Sequence, residues 1–134
     1  MNPARLDQIL TQARGKRILV LGDLMLDEFV WGKVGRISPE APVPVVEVTR
    51  ESSYPGGAAN VARNLREFIG QTSVIGLLGN DRGGHELRRL LNAEGIETAG
   101  LIEDPEFPTL VKTLFTARHK NVGRRDRGKM QAPR

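Results

Sequence analysis

Short apolar runs alternate with helical segments along this chain, and this alternation is what most constrains its fold. Ile18–Leu21 and Val74–Leu78 are continuous apolar runs, as expected for strands that are covered on both faces in a parallel sheet. Helices are predicted from about Ala58 to Phe68 and from Glu86 to Ala93. Strands and helices in this order predict an α/β fold with a largely parallel sheet flanked by helices.

The remaining regular elements lie at the two ends of the alternating segment. Residues 3–14 predict an amphipathic helix, with Asn2 as its cap, Pro3 in its first turn and Gly15 at its end. Further strands are predicted over residues 98–102 and 109–117.

The stretch from residue 29 to residue 50 differs from its surroundings. Prolines at positions 39, 42 and 44 exclude a helix and argue against a central strand, whereas the valines between 43 and 48 favour extended structure. We therefore predict edge strands and turns that project from the main sheet.

Composition limits the classes of protein that this chain can belong to. Its 134 residues suit one domain, and 39% hydrophobic residues suffice for a packed core. No cysteine is present, which excludes disulfides and thiolate metal sites. No apolar run is long enough to span a bilayer and no signal peptide is recognisable. We expect a cytoplasmic protein that binds neither membrane nor, as its main activity, nucleic acid.

Positive charge is concentrated at the C-terminal end. Residues 118–134 contain seven basic and one acidic side chain, a formal charge of +6, whereas the other residues contain thirteen basic and fifteen acidic side chains. Such a segment either contacts nucleic acid or is a solvated end. With no aromatic residue available to stack on a base, we predict a basic, disordered tail over residues 121–134.

Three motifs could carry chemistry. Asp27 follows the first apolar run, where it could accept hydrogen bonds from sugar hydroxyls or simply cap a turn. Gly56 and Gly57 precede a helix that contains Asn60; they could admit an oxygen-rich ligand or form a plain turn. Arg36 begins a rigid proline-rich stretch and could bind a phosphate or remain solvated. His85 and His119 lack partners at metal-ligand spacing, so no metal site is predicted.

Taken together, these motifs resemble a known family. Residues 22–27, 36–44 and 55–62 look like the bacterial D-glycero-β-D-manno-heptose 7-phosphate kinases of the ribokinase/phosphofructokinase-B family, and residues 76–81 and 108–113 continue the similarity. The resemblance spans residues 16–120. It implies a ribokinase-like α/β fold over residues 1–120 with a small β-lid at approximately residues 29–52.

The resemblance also implies roles for particular residues. In the family, the residue matching Asp27 binds sugar hydroxyls, and those matching Gly56, Gly57 and Asn60 line the same pocket. Arg36 resembles a ligand of the sugar phosphate, and Lys112 lies on a strand that faces the substrate. The implied substrate is a small sugar phosphate, the implied cofactors are ATP and Mg²⁺, and the implied assembly is a homodimer formed through the lid.

The family's catalytic segment is not found in this sequence. The anion-hole glycines and catalytic aspartate of a Gly-x-Gly-Asp motif are missing, so we expect only the N-terminal part of the fold, with no catalytic residue and few ATP-binding residues. The expected function is that of a carbohydrate kinase fragment, inactive alone, from the pathway to ADP-heptose and lipopolysaccharide. The alternatives are another sugar kinase of this family, or a non-catalytic sugar-binding or dimerisation module.

Overall fold

The structure, a computed structural model, describes residues 2–39, 44–117 and 120–128. It contains three helices and seven strands, in the order α1 (Pro3–Arg14), β1 (Arg17–Leu21), β2 (Leu24–Ile37), β3 (Pro44–Gly57), α2 (Ala58–Arg66), β4 (Gln71–Gly79), α3 (Arg82–Ala93), β5 (Glu97–Asp104), β6 (Leu110–Ala117) and β7 (Lys120–Arg127).

The strands form two sheets. One is three-stranded, in the order β1-β4-β5, and the other is four-stranded, in the order β3-β2-β6-β7. Every pair in the first sheet is parallel, so the predicted α/β fold with a parallel sheet and helices is confirmed. The predicted strand at residues 109–117 belongs to the second sheet, where β6 is parallel to β2 and antiparallel to β7.

The first helix is capped as its sequence predicts. The Asn2 side chain accepts a hydrogen bond from the Ala4 N–H at 3.0 Å, Pro3 begins the helix and Gly15 follows its last turn. No side chain of α1 is buried, so local capping rather than packing accounts for its position.

The stretch that was predicted as edge strands and turns is longer and more central than expected. β2 and β3 form an antiparallel hairpin, and β2 is an inner strand with β6 on its other side. The prolines are tolerated because Pro39 lies outside the strands, while Pro44 and Pro55 belong to β3, an edge strand. Pro42 lies outside the described residues. Pro55-Gly56-Gly57, predicted as a turn, is the end of this strand.

Two irregularities divide the hairpin. The register shifts once between Trp31 and Gly32 and again between Val34 and Arg36. At the first shift the extra residue, Thr49, lies on β3, and its hydroxyl donates to the Trp31 carbonyl at 3.1 Å. At the second the extra residue, Gly35, lies on β2. The base of the hairpin is therefore regular, residues 32–34 are shifted by one position, and the register of the base returns at Arg36.

Two sequence predictions were wrong. The first strand was expected to be buried on both faces, but Leu19 and Leu21 are 57% and 76% exposed, because β1 is an edge strand and no described element covers that face. The disordered tail was expected from residue 121, but Lys120–Arg127 form β7. Antiparallel main-chain pairing with β6 does not require apolar side chains. Residues 129–134 lie outside the described residues.

One hydrophobic core joins the two sheets. Leu24 and Leu26 of β2, Leu78 of β4, and Leu87 and Leu91 of α3 are at most 1% exposed and belong to one cluster. Alternate side chains of β2 therefore point into this core, which leaves the intervening ones to face away from it.

A buried threonine connects the end of β4 to the start of β6. The Thr109 hydroxyl accepts a hydrogen bond from the Gly79 N–H at 2.9 Å. The Asp81 carboxylate accepts one from the Thr109 N–H at 3.0 Å and another from the Gly84 N–H at 2.8 Å, so it also caps α3. Burial alone would raise the pKa of Asp81, but these hydrogen bonds and the nearby Arg127 outweigh it and lower the pKa below its ordinary value.

We predict that Asp81→Asn destabilises the protein at neutral pH by about 0.5–2 kcal/mol, because the amide loses the charge and one of the two acceptors. Since the pKa is lowered by folding, the stabilisation is complete above the unfolded pKa of about 3.9 and is lost as the pH falls through the folded value. Urea unfolding at several pH values measures this. The exposed Asp7→Asn variant is the control, and equal stability of both variants at pH 7 would contradict the assignment.

Candidate active site

One face of the four-stranded sheet carries most of the predicted site. Asp27 alternates with the core-facing Leu24 and Leu26, so it points to the face away from the core. Its register partners are Tyr54 on β3 and Lys112 on β6. The hydrogen-bonded row therefore brings Asp27 and Lys112, which are far apart in sequence, onto adjacent strands. The sequence suggested that Asp27 follows the carboxyl end of β1. In the structure Asp27 instead belongs to β2.

The Asp27 carboxylate is only partly satisfied. Its Oδ1 is buried and has no hydrogen-bond partner among the described residues. A buried carboxylate oxygen without a donor loses the hydrogen bonds that water would give it, which is costly. The arrangement thus favours a ligand that brings hydroxyl or N–H donors to this atom.

Glycine makes room for that carboxylate. A Cβ at position 56 would lie 2.7 Å from Asp27 Oδ2 and 2.8 Å from Met25 Cγ, so any larger residue would displace the acid. Gly57 has a φ of 57°, which L-residues rarely adopt, and a Cβ there would meet the Asp23 carbonyl oxygen at 2.5 Å. That carbonyl accepts the Ala58 N–H at 2.9 Å, which fixes the start of α2 beside Asp27.

Positive charge lies next to Asp27 on β6 and β7. Lys112 is in register with Asp126, and Arg124 forms two hydrogen bonds with the Asp126 carboxylate at 2.7 and 2.8 Å. That pair raises the pKa of Arg124 and lowers the pKa of Asp126. Met25, Lys112, Arg124 and Asp126 line a cavity of about 190 Å³. Both members of the ion pair are exposed, so it adds little to stability and is free to exchange with a ligand.

Asn60 and Arg36 are not brought into this cluster. Asn60 is exposed in the first turn of α2, and its side chain makes no hydrogen bond within the described ranges. Arg36 pairs with Val45 near the tip of the hairpin, nine residues from Asp27, or ~30 Å along a strand that rises about 3.3 Å per residue. Their assignment to the sugar site remains a prediction from the resemblance.

Aromatic residues continue the same face toward the hairpin tip. Phe29 stacks on Trp31 with a centroid separation of 5.8 Å and contacts Tyr54 edge-on at 5.7 Å. The Arg50 guanidinium lies 3.8 Å from the Trp31 ring centroid, a favourable cation–π geometry. Phe29 and Trp31 therefore pack against each other on this face.

Sequence reasoning missed three side chains near Asp27: Tyr54, Arg124 and Asp126. Tyr54 precedes Gly56 by two residues, so strand periodicity could have placed both on one face. The alternation of Arg124 with Asp126 gave the same signal, but the basic composition of that segment was interpreted as a disordered end. The pairing of β7 with β6 places Arg124 and Asp126 on the strand next to Lys112.

Within the described ranges, no group of three or more His, Cys, Asp or Glu could hold a metal ion. No helix there is long and apolar enough to cross a membrane.

Comparison with known proteins identifies the family. Residues 16–130 match the model of the pfkB family carbohydrate kinases. The chain belongs to this family. It is 45% identical over 127 residues to the bifunctional protein HldE of Geotalea uraniireducens, covering 95% of the chain and 26% of that protein. It is 47% identical over 110 residues to the D-beta-D-heptose 7-phosphate kinase of Bordetella bronchiseptica, covering 82% of the chain and 35% of that protein.

Solved structures of the family share the fold. A carbohydrate kinase from Agrobacterium tumefaciens superposes with a TM-score of 0.66 at 23% identity, over 84% of this chain and 35% of that one. The ribokinase of Cryptococcus neoformans in complex with ADP gives a TM-score of 0.57 at 23% identity, over 84% of this chain and 35% of that one. The ribokinase-like architecture is thus confirmed. This pfkB-family chain spans about a quarter to a third of the length of these curated relatives.

Membership of a kinase family implies the use of ATP. The described residues of this pfkB-family chain do not fit a site for ATP with Mg²⁺, because they contain neither a carboxylate cluster for the metal nor a Gly-x-Gly-Asp segment. No chemical step is derived through ATP from these residues.

We predict that Gly56→Ala disturbs the site, because the new methyl group has to displace the Asp27 carboxylate or the Met25 side chain. Overpacking of this kind costs typically about 1–3 kcal/mol. Gly35→Ala is the matched control, since a Cβ at position 35 meets nothing within 4 Å. Chemical denaturation of both variants measures the difference, and a Gly56→Ala variant as stable as Gly35→Ala would show that the close approach is absent.

Proposed function

We propose that this chain forms the sugar-binding part of a kinase that phosphorylates a heptose 7-phosphate at its anomeric hydroxyl, a step toward ADP-heptose and lipopolysaccharide. The family match and the relatives' names support the sugar class. The finer assignment rests on the identity of 45–47% to HldE and heptose 7-phosphate kinase sequences across most of the chain.

The observation that carries the proposal is the unpartnered Oδ1 of Asp27. A carboxylate with a free oxygen beside a glycine-lined gap can accept hydrogen bonds from two neighbouring hydroxyls of a sugar ring. Charge-assisted bonds of this kind are roughly twice as strong as neutral ones. The hydroxyl groups of a sugar carry no charge, so the Asp27 carboxylate does not repel them.

The basic residues beside Asp27 support a phosphorylated sugar. Lys112 lies on the next strand in register with Asp27, and among the described residues Asp126 is the ion-pair partner of the exposed Arg124. A sugar phosphate could place its hydroxyls on Asp27 and its phosphate on these cations, with Asp126 released to solvent. Positioning of the substrate contributes to phosphoryl transfer by holding the acceptor hydroxyl in a productive orientation.

A second candidate function is that of a non-catalytic sugar-binding or dimerisation module. β3 is an edge strand, whose unpaired main-chain groups are able to pair with another strand. The stacked Phe29 and Trp31 offer apolar surface on the same hairpin. We propose that two copies associate through this hairpin. Light scattering combined with size-exclusion chromatography measures the mass, and a monomer at all concentrations would contradict the association.

Calorimetry with heptose 7-phosphate, with and without ATP, separates the candidates. A sugar-binding half of a kinase binds heptose 7-phosphate, whereas a dimerisation module does not. Turnover by this chain alone is expected to be negligible, because the sequence does not contain the family's Gly-x-Gly-Asp segment, whose aspartate would supply the base that the reaction needs. Turnover at an ordinary enzyme rate, roughly 1 per second or more, would contradict this part of the proposal.

We predict that Asp27→Asn weakens heptose 7-phosphate binding at least tenfold, equivalent to about 1.4 kcal/mol. The amide keeps the shape and one acceptor but removes the charge and one acceptor. Calorimetric titration measures the dissociation constant.

Asp23→Asn is the matched control for this prediction. Asp23 is exposed and fixes α2 through its carbonyl oxygen, which the substitution retains, so a smaller effect is expected. A variant at position 27 that binds like the parent, alongside a loss at position 23, would reverse the assignment of the two acids.

A further inference from the structure

The face of the four-stranded sheet opposite Asp27 carries a second cluster of charges. Glu28, Thr113 and Arg125 form one row across β2, β6 and β7, because Glu28 pairs with Thr113 and Thr113 pairs with Arg125. Arg127 lies two residues after Arg125 on the same strand, opposite Val111. Arg82, the first residue of α3, faces the same space. By strand alternation the sheet separates Glu28, Thr113 and Arg125 from Asp27, whereas Arg127, at the end of β7, also lines the cavity that contains Lys112 and Arg124.

In the described part of the chain the three arginines of this cluster form no close ion pair, although Arg127 interacts electrostatically with Asp81 and Arg82 with Glu86. Among the described residues, none of them lies within 4.0 Å of a carboxylate oxygen, unlike the arginines of the following pairs: Arg63–Glu94, Arg88–Glu103, Arg89–Glu86 and Arg124–Asp126. Like charges held together on rigid elements repel one another, and a bound anion removes that repulsion.

The arginines surround a small concave space. Arg82, Arg125 and Arg127, together with Gly83, Val111, Thr113 and Glu28, line a cavity of about 200 Å³. No aromatic ring is among these residues to stack on a base, and a single apolar side chain, Val111, is too little for a lipid. The lining therefore suits a compact oxyanion. Asp81 already caps the N-terminus of α3, so the attraction for an anion comes from the arginines.

The negative charge of Glu28 opposes the binding of an anion in this cavity. Its carboxylate accepts a hydrogen bond from the Thr113 hydroxyl at 2.9 Å, which holds the acid on the floor of the cavity. Three arginines and one glutamate leave an excess of two positive charges in the lining. The site is thus tuned below its maximum affinity, and removal of the Glu28 charge should strengthen it.

We propose that Arg82, Arg125 and Arg127 form a binding site for an inorganic phosphate-type oxyanion on the face of the sheet opposite the sugar site. Guanidinium groups recognise such anions through paired N–H donors, and three of them suit an anion with more than one charge. The proposal is independent of the function assigned to Asp27.

Calorimetry of this chain with pyrophosphate tests the site. Binding should be tighter than that of orthophosphate, should weaken as NaCl is raised from 0.05 to 0.5 M, and should weaken at least tenfold in Arg125→Ala or Arg82→Ala. Glu28→Gln should instead bind pyrophosphate several-fold more tightly, an outcome that mere unfolding of the variant cannot produce. Circular dichroism of each variant reports on its fold.

Arg124→Ala is the discriminating comparison, because it removes the same charge from the same strand on the opposite face. Loss of pyrophosphate binding in Arg124→Ala with retention in Arg125→Ala would move the anion to the Asp27 face and overturn the proposal. Equal binding of citrate and pyrophosphate would overturn it as well, since the surface would then attract any polyanion. Unchanged affinity in Glu28→Gln would likewise contradict it.

Discussion

The junction at Thr109 determines how the two sheets meet. Its hydroxyl and N–H connect it to Gly79 and to the carboxylate of Asp81, and the residue is fully buried. The same carboxylate starts α3. Two side chains, those of Thr109 and Asp81, thus connect the end of the parallel sheet, the start of a core helix and the start of β6. The pairing of β6 with β2 then places Lys112 in register with Asp27.

The side chains on the two faces of β2 have different roles. Leu24 and Leu26 are 1% exposed and belong to the core shared by both sheets, so the strand cannot slide by one residue without exposing them. That constraint holds Asp27 on one face and Glu28 on the other. The position of both charge clusters therefore depends on hydrophobic packing rather than on polar contacts, and the polar groups are left available to ligands.

The sequence predicted elements whose signals are local. Asn2 and Gly15 bracket α1 as expected, and apolar runs identified β1 and β4, because caps and periodicity act within a few residues. It did not predict that β2 pairs with β6, since that parallel contact joins residues about 85 positions apart, as in the Glu28–Thr113 hydrogen bond. The exposure of Leu21 and the pairing of β7 depend on neighbours in space and could not be inferred from composition.

In the candidate site, too, local signals were predicted from the sequence and contacts between distant segments were not. The motifs pointed to Asp27 and Gly56, and the structure supplies a physical reason for that glycine by showing the carboxylate against it. The resemblance, rather than the residues themselves, suggested Lys112. Tyr54, Arg124 and Asp126 join the site only through strand register, and Arg36 is separated from it by the length of the hairpin.

The paired irregularities of the hairpin have a consequence for how such sequences diverge. Because the extra residues Thr49 and Gly35 lie on opposite strands, each compensates the other, and the strands stay aligned toward the tip while the alternation of faces is reset. Insertions or deletions beyond Trp31 can therefore be absorbed without rotating Asp27 out of place. The outer hairpin can change its length and contacts, whereas the core-facing Leu24 and Leu26 hold the inner hairpin to a single register.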